Sequence, residues 1–196
     1  MTNTSVLIVG VGGQGTLLAS RVLGKAALLS GLDVKISEVH GMSQRGGSVV
    51  TYVKYGERIQ SPLIDRGCAD VVLAFEWLEA YRALPYLKAE CGRMIANTQT
   101  ILPMSVINGD VPYPENLIEK MGLGDRLDAI DALEKAKACG SVKTVNSVML
   151  GRFARYSDIP FEIWIRSIEE TVPAKFVLMN KNAFIAGFSK EQEETL

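Results

Sequence analysis

Residues 5 to 31, "SVLIVGVGGQGTLLASRVLGKAALLSG", leave the chain few folds to choose from. An apolar, β-rich run ends at Gly10 and enters a glycine turn. Leu17, Leu18, Val22, Leu23, Ala26 and Leu29 then recur at helical spacing. Gly31 is a natural helix stop, and "DVKISEV" at 33–39 alternates as a second strand. A strand, a tight turn, a helix and a second strand in that order predict an α/β fold that opens with a right-handed parallel crossover.

Past residue 47 the pattern changes. "SVVTYVKYG" alternates, turns near Tyr55, Gly56 and Glu57, and resumes as "RIQSP", which predicts a β-hairpin or an antiparallel excursion with no helix before it. Buried strands are expected at 69–75 and 92–98, and a weak one at "DRLDAIDA". Prolines and Gly109 punctuate residues 102–116 and predict a loop before a short helix. From Asn146 onward, three apolar stripes at helical spacing predict helices. The expectation is one domain, residues 1–196. Its architecture is a three-layer α/β/α Rossmann-like fold with a mostly parallel, mixed sheet, an inserted β-hairpin and a helical C-terminal third.

Composition narrows the function. A net charge of −1, without a basic cluster, argues against nucleic acid or an anionic membrane as a partner. The N-terminus lacks a basic region and reaches its glycine turn too soon for a signal peptide or a membrane span. Cys68, Cys91 and Cys139 are too far apart for a CxxC clip, and their odd number argues against a disulfide framework. A reducing cytoplasm is the expected compartment. With one histidine, His40, the chain is a poor host for zinc or an iron–sulfur cluster, so no metal is expected on it.

Within "GVGGQG", Gly10, Gly12 and Gly15 form the pattern GxGxxG between a strand and a helix, where backbone amides suit a phosphate. Glu38 ends the second strand, about where an acidic residue takes a ribose hydroxyl in an NAD or FAD site. Against that reading, a hairpin replaces the next crossover helix. Gly13 and Gln14 also add a glycine and a polar side chain that the dinucleotide pattern does not require. The glycines equally serve close helix–strand packing, or a loop that meets another surface.

The second dense stretch is "HGMSQRGG", residues 40–47. A histidine such as His40 is a natural candidate for a general base, but no orienting partner is visible, and a histidine hydrogen-bonded within a loop accounts for it more simply. Arg45, between Gln44 and the pair Gly46 and Gly47, presents a planar fork of donors on backbone that comes close to another molecule. Met42 adds a deformable apolar contact. An interface loop explains this mixture better than catalysis does.

Six segments, "GVGGQG", "HGMSQRGGSVV", "SPLI", "ADVVLAFEWLEA", "NSVMLG" and "NKNAFIAGF", follow one another in this order. Together they resemble the γ-type subunits of the 2-oxoacid:ferredoxin oxidoreductases, over almost the whole chain. The resemblance implies a reaction in which a 2-oxoacid and coenzyme A give an acyl-CoA, carbon dioxide and electrons for ferredoxin. Thiamine diphosphate and iron–sulfur clusters supply that chemistry. The thiamine motif opens Gly-Asp-Gly, whereas here Gly109-Asp110 runs into Val111 and Gly124-Asp125 into Arg126. The implied protein is therefore one subunit, inert alone, whose larger partner carries the thiamine diphosphate and the clusters. Pairing of the isolated chain as a homodimer stays open.

Carried over residue by residue, Gly10, Gly12, Gly13, Gln14 and Gly15 match the family's glycine loop, implied to shape part of a coenzyme A site or an interface. His40, Gly41, Met42, Gln44, Arg45, Gly46 and Gly47 match its Arg-Gly-Gly loop, implied to face the partner near the active site. Many members carry Tyr-Gly-Pro-Glu before that element. The histidine form found here resembles the aryl-pyruvate branch and implies indolepyruvate. Glu76, at the carboxyl end of "ADVVLAF", orients the glycine loop or the partner, or begins a helix as its cap. No catalytic residue is assigned to the chain. Two rivals of different class remain: a self-contained NAD(P)- or FAD-binding oxidoreductase, and a non-catalytic interaction module on the same fold.

Overall fold

The computed structural model describes residues 3–39 and 47–189. Its strands are β1 (Thr4–Val11), β2 (Asp33–Val39), β3 (Ser48–Gly56), β4 (Val71–Ala74), β5 (Arg93–Asn97) and β6 (Leu127–Ile130). They form one sheet in the order β2-β3-β1-β4-β5-β6. The β1–β4, β4–β5 and β5–β6 pairs are parallel, and β3 lies antiparallel to both β1 and β2. The helices are α1 (Thr16–Leu29), α2 (Trp77–Ala83), α3 (Met104–Ile107), α4 (Leu117–Met121), α5 (Ala132–Ala138), α6 (Val145–Ala154), α7 (Phe161–Thr171) and α8 (Ala174–Phe188).

β1 is apolar along its length because both of its faces are covered. Val6 and Ile8 enter one core with Leu23 of α1, Leu150 of α6, Trp164 of α7 and Phe184 of α8. Leu7 and Val9 enter another with Ala80 and Ala83 of α2 and Leu117 and Met121 of α4. These are the two outer layers of an α/β/α sandwich. The C-terminal helices touch backbone to backbone: a Cβ on Gly151 would stand 2.0 Å from the Phe184 carbonyl oxygen, and one on Gly187 2.0 Å from that of Val148. In the same contact the Ser147 hydroxyl donates to Asn180 Oδ1 at 2.7 Å. At the sheet's far edge, Asp128 of β6 receives two bonds from Arg152 Nε, at 2.9 and 2.8 Å, one from its Nη2 at 2.7 Å and one from the Tyr156 hydroxyl at 2.6 Å.

Two sequence expectations need correction. β1 and β2 do run in the same direction, but β3 lies between them, so the opening crossover does not join neighbouring strands. The antiparallel excursion is present in β3, but the hairpin is elsewhere. β3 ends at Gly56, and "RIQSP" is not a strand. β2 and β3 make the hairpin instead, with Val39 opposite Val50 and Asp33 opposite Gly56. The reason is backbone accounting: both edges of β3 find ladders, on β1 and on β2, so nothing is left for a returning strand. The Ile59 amide goes to the Asp33 carboxylate at 2.8 Å. No helix among the described residues is long and apolar enough to cross a membrane.

Candidate functional site

The carboxyl ends of β1, β4 and β5 lie side by side, and the loops that leave them meet. A Cβ on Gly10 would stand 2.9 Å from Gln14 Oε1 and 3.0 Å from Phe75 Cβ, so the turn closes only on glycine. Gly13 and Gly15 hold left-handed φ values of 99° and 80°.

Gln14 is the hub of this turn. Its Oε1 accepts the Val11 amide at 2.8 Å, and its Nε2 donates to the Phe75 carbonyl at 2.8 Å and reaches Gln99 Oε1 at 3.4 Å. Asn97 Nδ2 also donates to Phe75, at 3.1 Å, and Asn97 Oδ1 accepts the Ala132 amide at 3.1 Å. One side chain must accept at one end and donate at the other, which a carboxamide does and a carboxylate does not.

Glu76 caps α2. Its Oε2 accepts the Glu79 amide at 2.8 Å, and its Oε1 takes the Ile101 amide at 3.0 Å. The side chain is 1% exposed, so of the roles weighed for Glu76 it fills the cap. Both oxygens of its carboxylate serve the chain's own backbone. Burial raises its pKa above the ordinary carboxylate value, and the backbone donors offset part of that rise. Next to it, buried Glu79 accepts from the Ser48 hydroxyl at 2.5 Å and from Arg82 at 2.6 Å. Ser48 begins β3, and the residue before it accepts the Gly12 amide on its carbonyl: Gly12 to Gly47, 3.0 Å. The two glycine-bearing loops thus join at Gly47. His40, Gly41, Met42, Gln44, Arg45 and Gly46 lie outside the described residues.

A cleft of about 590 Å³ opens over the glycine loop, bounded by Gly13, Gln14, Gly15, Gln99, Lys137 and Lys143 among others. Gly15, the residue before α1, brings no side-chain cap, so the first-turn amides are left for whatever enters. Glu38 is not part of this cleft. β3 puts the end of β2 two strand spacings, about 10 Å, from β1, and Glu38 accepts the Ser20 hydroxyl at 3.0 Å. A dinucleotide site needs its acidic residue on the strand beside β1.

Gln99, Lys137 and Lys143 escaped the sequence reading. Gln99 stands two residues past Asn97, the end of β5, and a polar residue just beyond a strand end is a local signal that reaches it. The two lysines carry no local signal, because only the tertiary fold brings their segment over Gly13. Among the described residues no three His, Cys, Asp or Glu side chains converge as a metal site, so those residues do not fit an iron–sulfur cluster.

The pyruvate ferredoxin/flavodoxin oxidoreductase family model matches residues 5–190. The chain is 38% identical to the indolepyruvate oxidoreductase subunit IorB of Thermococcus kodakarensis, over 98% of each chain. It is 28% identical to the common subunit gamma of the pyruvate/ketoisovalerate oxidoreductases of Pyrococcus furiosus, over 94% of each. Its fold is also found in the 2-oxoglutarate:ferredoxin oxidoreductase of Magnetococcus marinus, a structure with 2-oxoglutarate, coenzyme A and succinyl-CoA bound. That match has a TM-score of 0.72 at 17% identity and covers 95% of this chain and 30% of that one. The family match takes in the glycine turn, the Glu76 cap and the paired glycines of α6 and α8 alike, and the chain belongs to the pyruvate ferredoxin/flavodoxin oxidoreductase family.

Proposed function

We propose that this chain is the small subunit of a 2-oxoacid:ferredoxin oxidoreductase that uses indolepyruvate or another aryl-pyruvate. The observation that carries the reading is the gap in identity: 38% to an indolepyruvate subunit against 28% to a pyruvate/ketoisovalerate subunit, each nearly end to end. The reaction turns the 2-oxoacid and coenzyme A into an acyl-CoA and carbon dioxide, and passes two electrons to ferredoxin. Thiamine diphosphate held by the larger partner subunit would supply the electron sink for decarboxylation, and iron–sulfur clusters held there would supply one-electron transfer. Two features support that division. The Gly-Asp pairs here lack the third residue of the thiamine motif, and among the described residues no three His, Cys, Asp or Glu side chains converge.

In this reading the chain's own residues bind and orient. The uncapped N-terminus of α1, with Lys143 at the rim of the cleft, suits a phosphate of coenzyme A. The 40–47 loop, with Arg45, faces the partner. Anaerobic purification of the tagged chain from its native host tests the reading. The expected eluate holds one larger chain with thiamine diphosphate and iron, and reduces a viologen dye with indolepyruvate and coenzyme A faster than with pyruvate. A chain that elutes alone with bound NAD(P) or FAD would replace this reading with the self-contained dinucleotide enzyme. Arg45→Ala is expected to impair assembly or turnover of the complex. Full activity in that variant would take the loop out of the reading.

A further inference from the structure

Segment 101–112, between β5 and α4, lies mostly exposed at the surface. α3, its one helical turn, buries none of its four residues. Met104 is 66% exposed and Ile107 60%, while Leu102 and Val111 stand about half out of the surface. Together they present on the order of 400 Å² of surface, within the range of the largest and often functional apolar patch on a monomer, and about half of what one partner buries in a standard interface. A four-residue helix does not hold itself in water. This one is anchored on its N-terminal side and closed on itself. The Ile101 amide is on Glu76, the Gln99 carbonyl takes the Trp77 amide at 3.0 Å, and the Asp110 amide closes on the Ser105 carbonyl at 2.8 Å. The fold thus keeps in place an arm whose helical turn has no fully buried residue and only Val106 half-buried.

Resting on the reading of the chain as a small subunit, we infer that this arm is a docking element for the larger subunit. That subunit receives Leu102, Met104, Ile107 and Val111 in an apolar recess with a basic rim. Two observations select this occupant. The arm grows out of residues 99–101, which Gln14 and Glu76 hold beside the glycine loop, so it stands on the same end of the sheet as the candidate site. In the Magnetococcus marinus chain this fold is 30% of the whole, so a body more than twice its size is built onto it and has to pack on some face. The basic rim follows from charge: between Gln99 and Ile118 the only charged side chains are Asp110 and Glu115.

The test is Met104→Glu with Ile107→Glu in the tagged full chain. Both side chains are exposed, so the isolated variant should melt with the wild type. Anaerobic capture of the thiamine diphosphate- and iron-bearing chain should fall roughly tenfold or more. In the wild-type complex, amides 104–111 should exchange hydrogen roughly tenfold more slowly than in the isolated chain. Undiminished capture by a normally melting variant, or unchanged exchange at 104–111, would overturn the docking role and leave the subunit reading standing. Should the double variant melt early, the exchange measurement on wild type decides alone. If wild type captures no such chain, the subunit reading itself fails and the arm's role with it. A wild-type homodimer that the variant loses while capture persists would assign the arm to self-association and overturn the inference.

Discussion

Gln14 and Glu76 each do work that a close chemical relative cannot. Gln14→Ala removes the acceptor of the Val11 amide and a donor to the Phe75 carbonyl, and should cost about 1–3 kcal/mol in chemical denaturation. Gln14→Glu should cost more than alanine, because a carboxylate oxygen then faces that carbonyl. Glu76 carries a pH signature. A carboxyl whose folded-state pKa lies above its unfolded value binds its proton more tightly in the native state. Its contribution to stability is therefore fullest below the ordinary carboxylate pKa, and is lost as pH rises through the raised value. Glu76→Gln cannot ionise, so the variant should gain on wild type across that window and hold a steady difference above it. Urea melts at a series of pH values read this directly. A difference independent of pH would mean that Glu76 titrates like an exposed carboxylate.

Among the elements, the α6–α8 contact is the tightest point of the fold. Gly151→Ala or Gly187→Ala drives a methyl group into a carbonyl oxygen and should cost about 3 kcal/mol, the top of the usual overpacking range. Gly13→Ala meets open space, and its cost is only that of a left-handed backbone, about 1–2 kcal/mol. That ranking, read from melting curves, separates a packing glycine from a turn glycine. Asp128 ties β6 to α6 in the same economical way. Asp128→Ala strips the Arg152 guanidinium, 14% exposed, of its bidentate partner and should cost about 3–5 kcal/mol. These contacts also show where the sequence was readable. The strands, the opening helix and the helical third follow from periodicity, which is local. That β3 inserts beside β1 does not, since alternation marks a strand without naming its neighbours. The left-handed needs of Gly13 and Gly15 are local as well. Gln14 becomes a hub only through Phe75 and Gln99, 61 and 85 residues further on, and no local signal reaches that far.

For the whole molecule, complex formation and stability should separate. Substitutions in the two cores or at the paired glycines should lower the melting point and capture of the larger subunit together. Substitutions on the exposed face of α3 should change capture alone, as differential scanning and pull-down on the same samples would show. The place of β3 also sets an order of events in time. β2 and β3 are joined by the shortest connection in the sheet, while β1 must wait for a partner strand nearly forty residues or more away, from Val11 opposite Ser48 to Thr4 opposite Tyr55. Short loops close sooner, so pulse-labelled refolding should find the β2–β3 amides protected before those that β1 shares with β4. The glycine turn at the end of β1 then forms against a strand already waiting for it, and the protein reaches its working shape by laying its oldest-numbered strand into a slot made by younger ones.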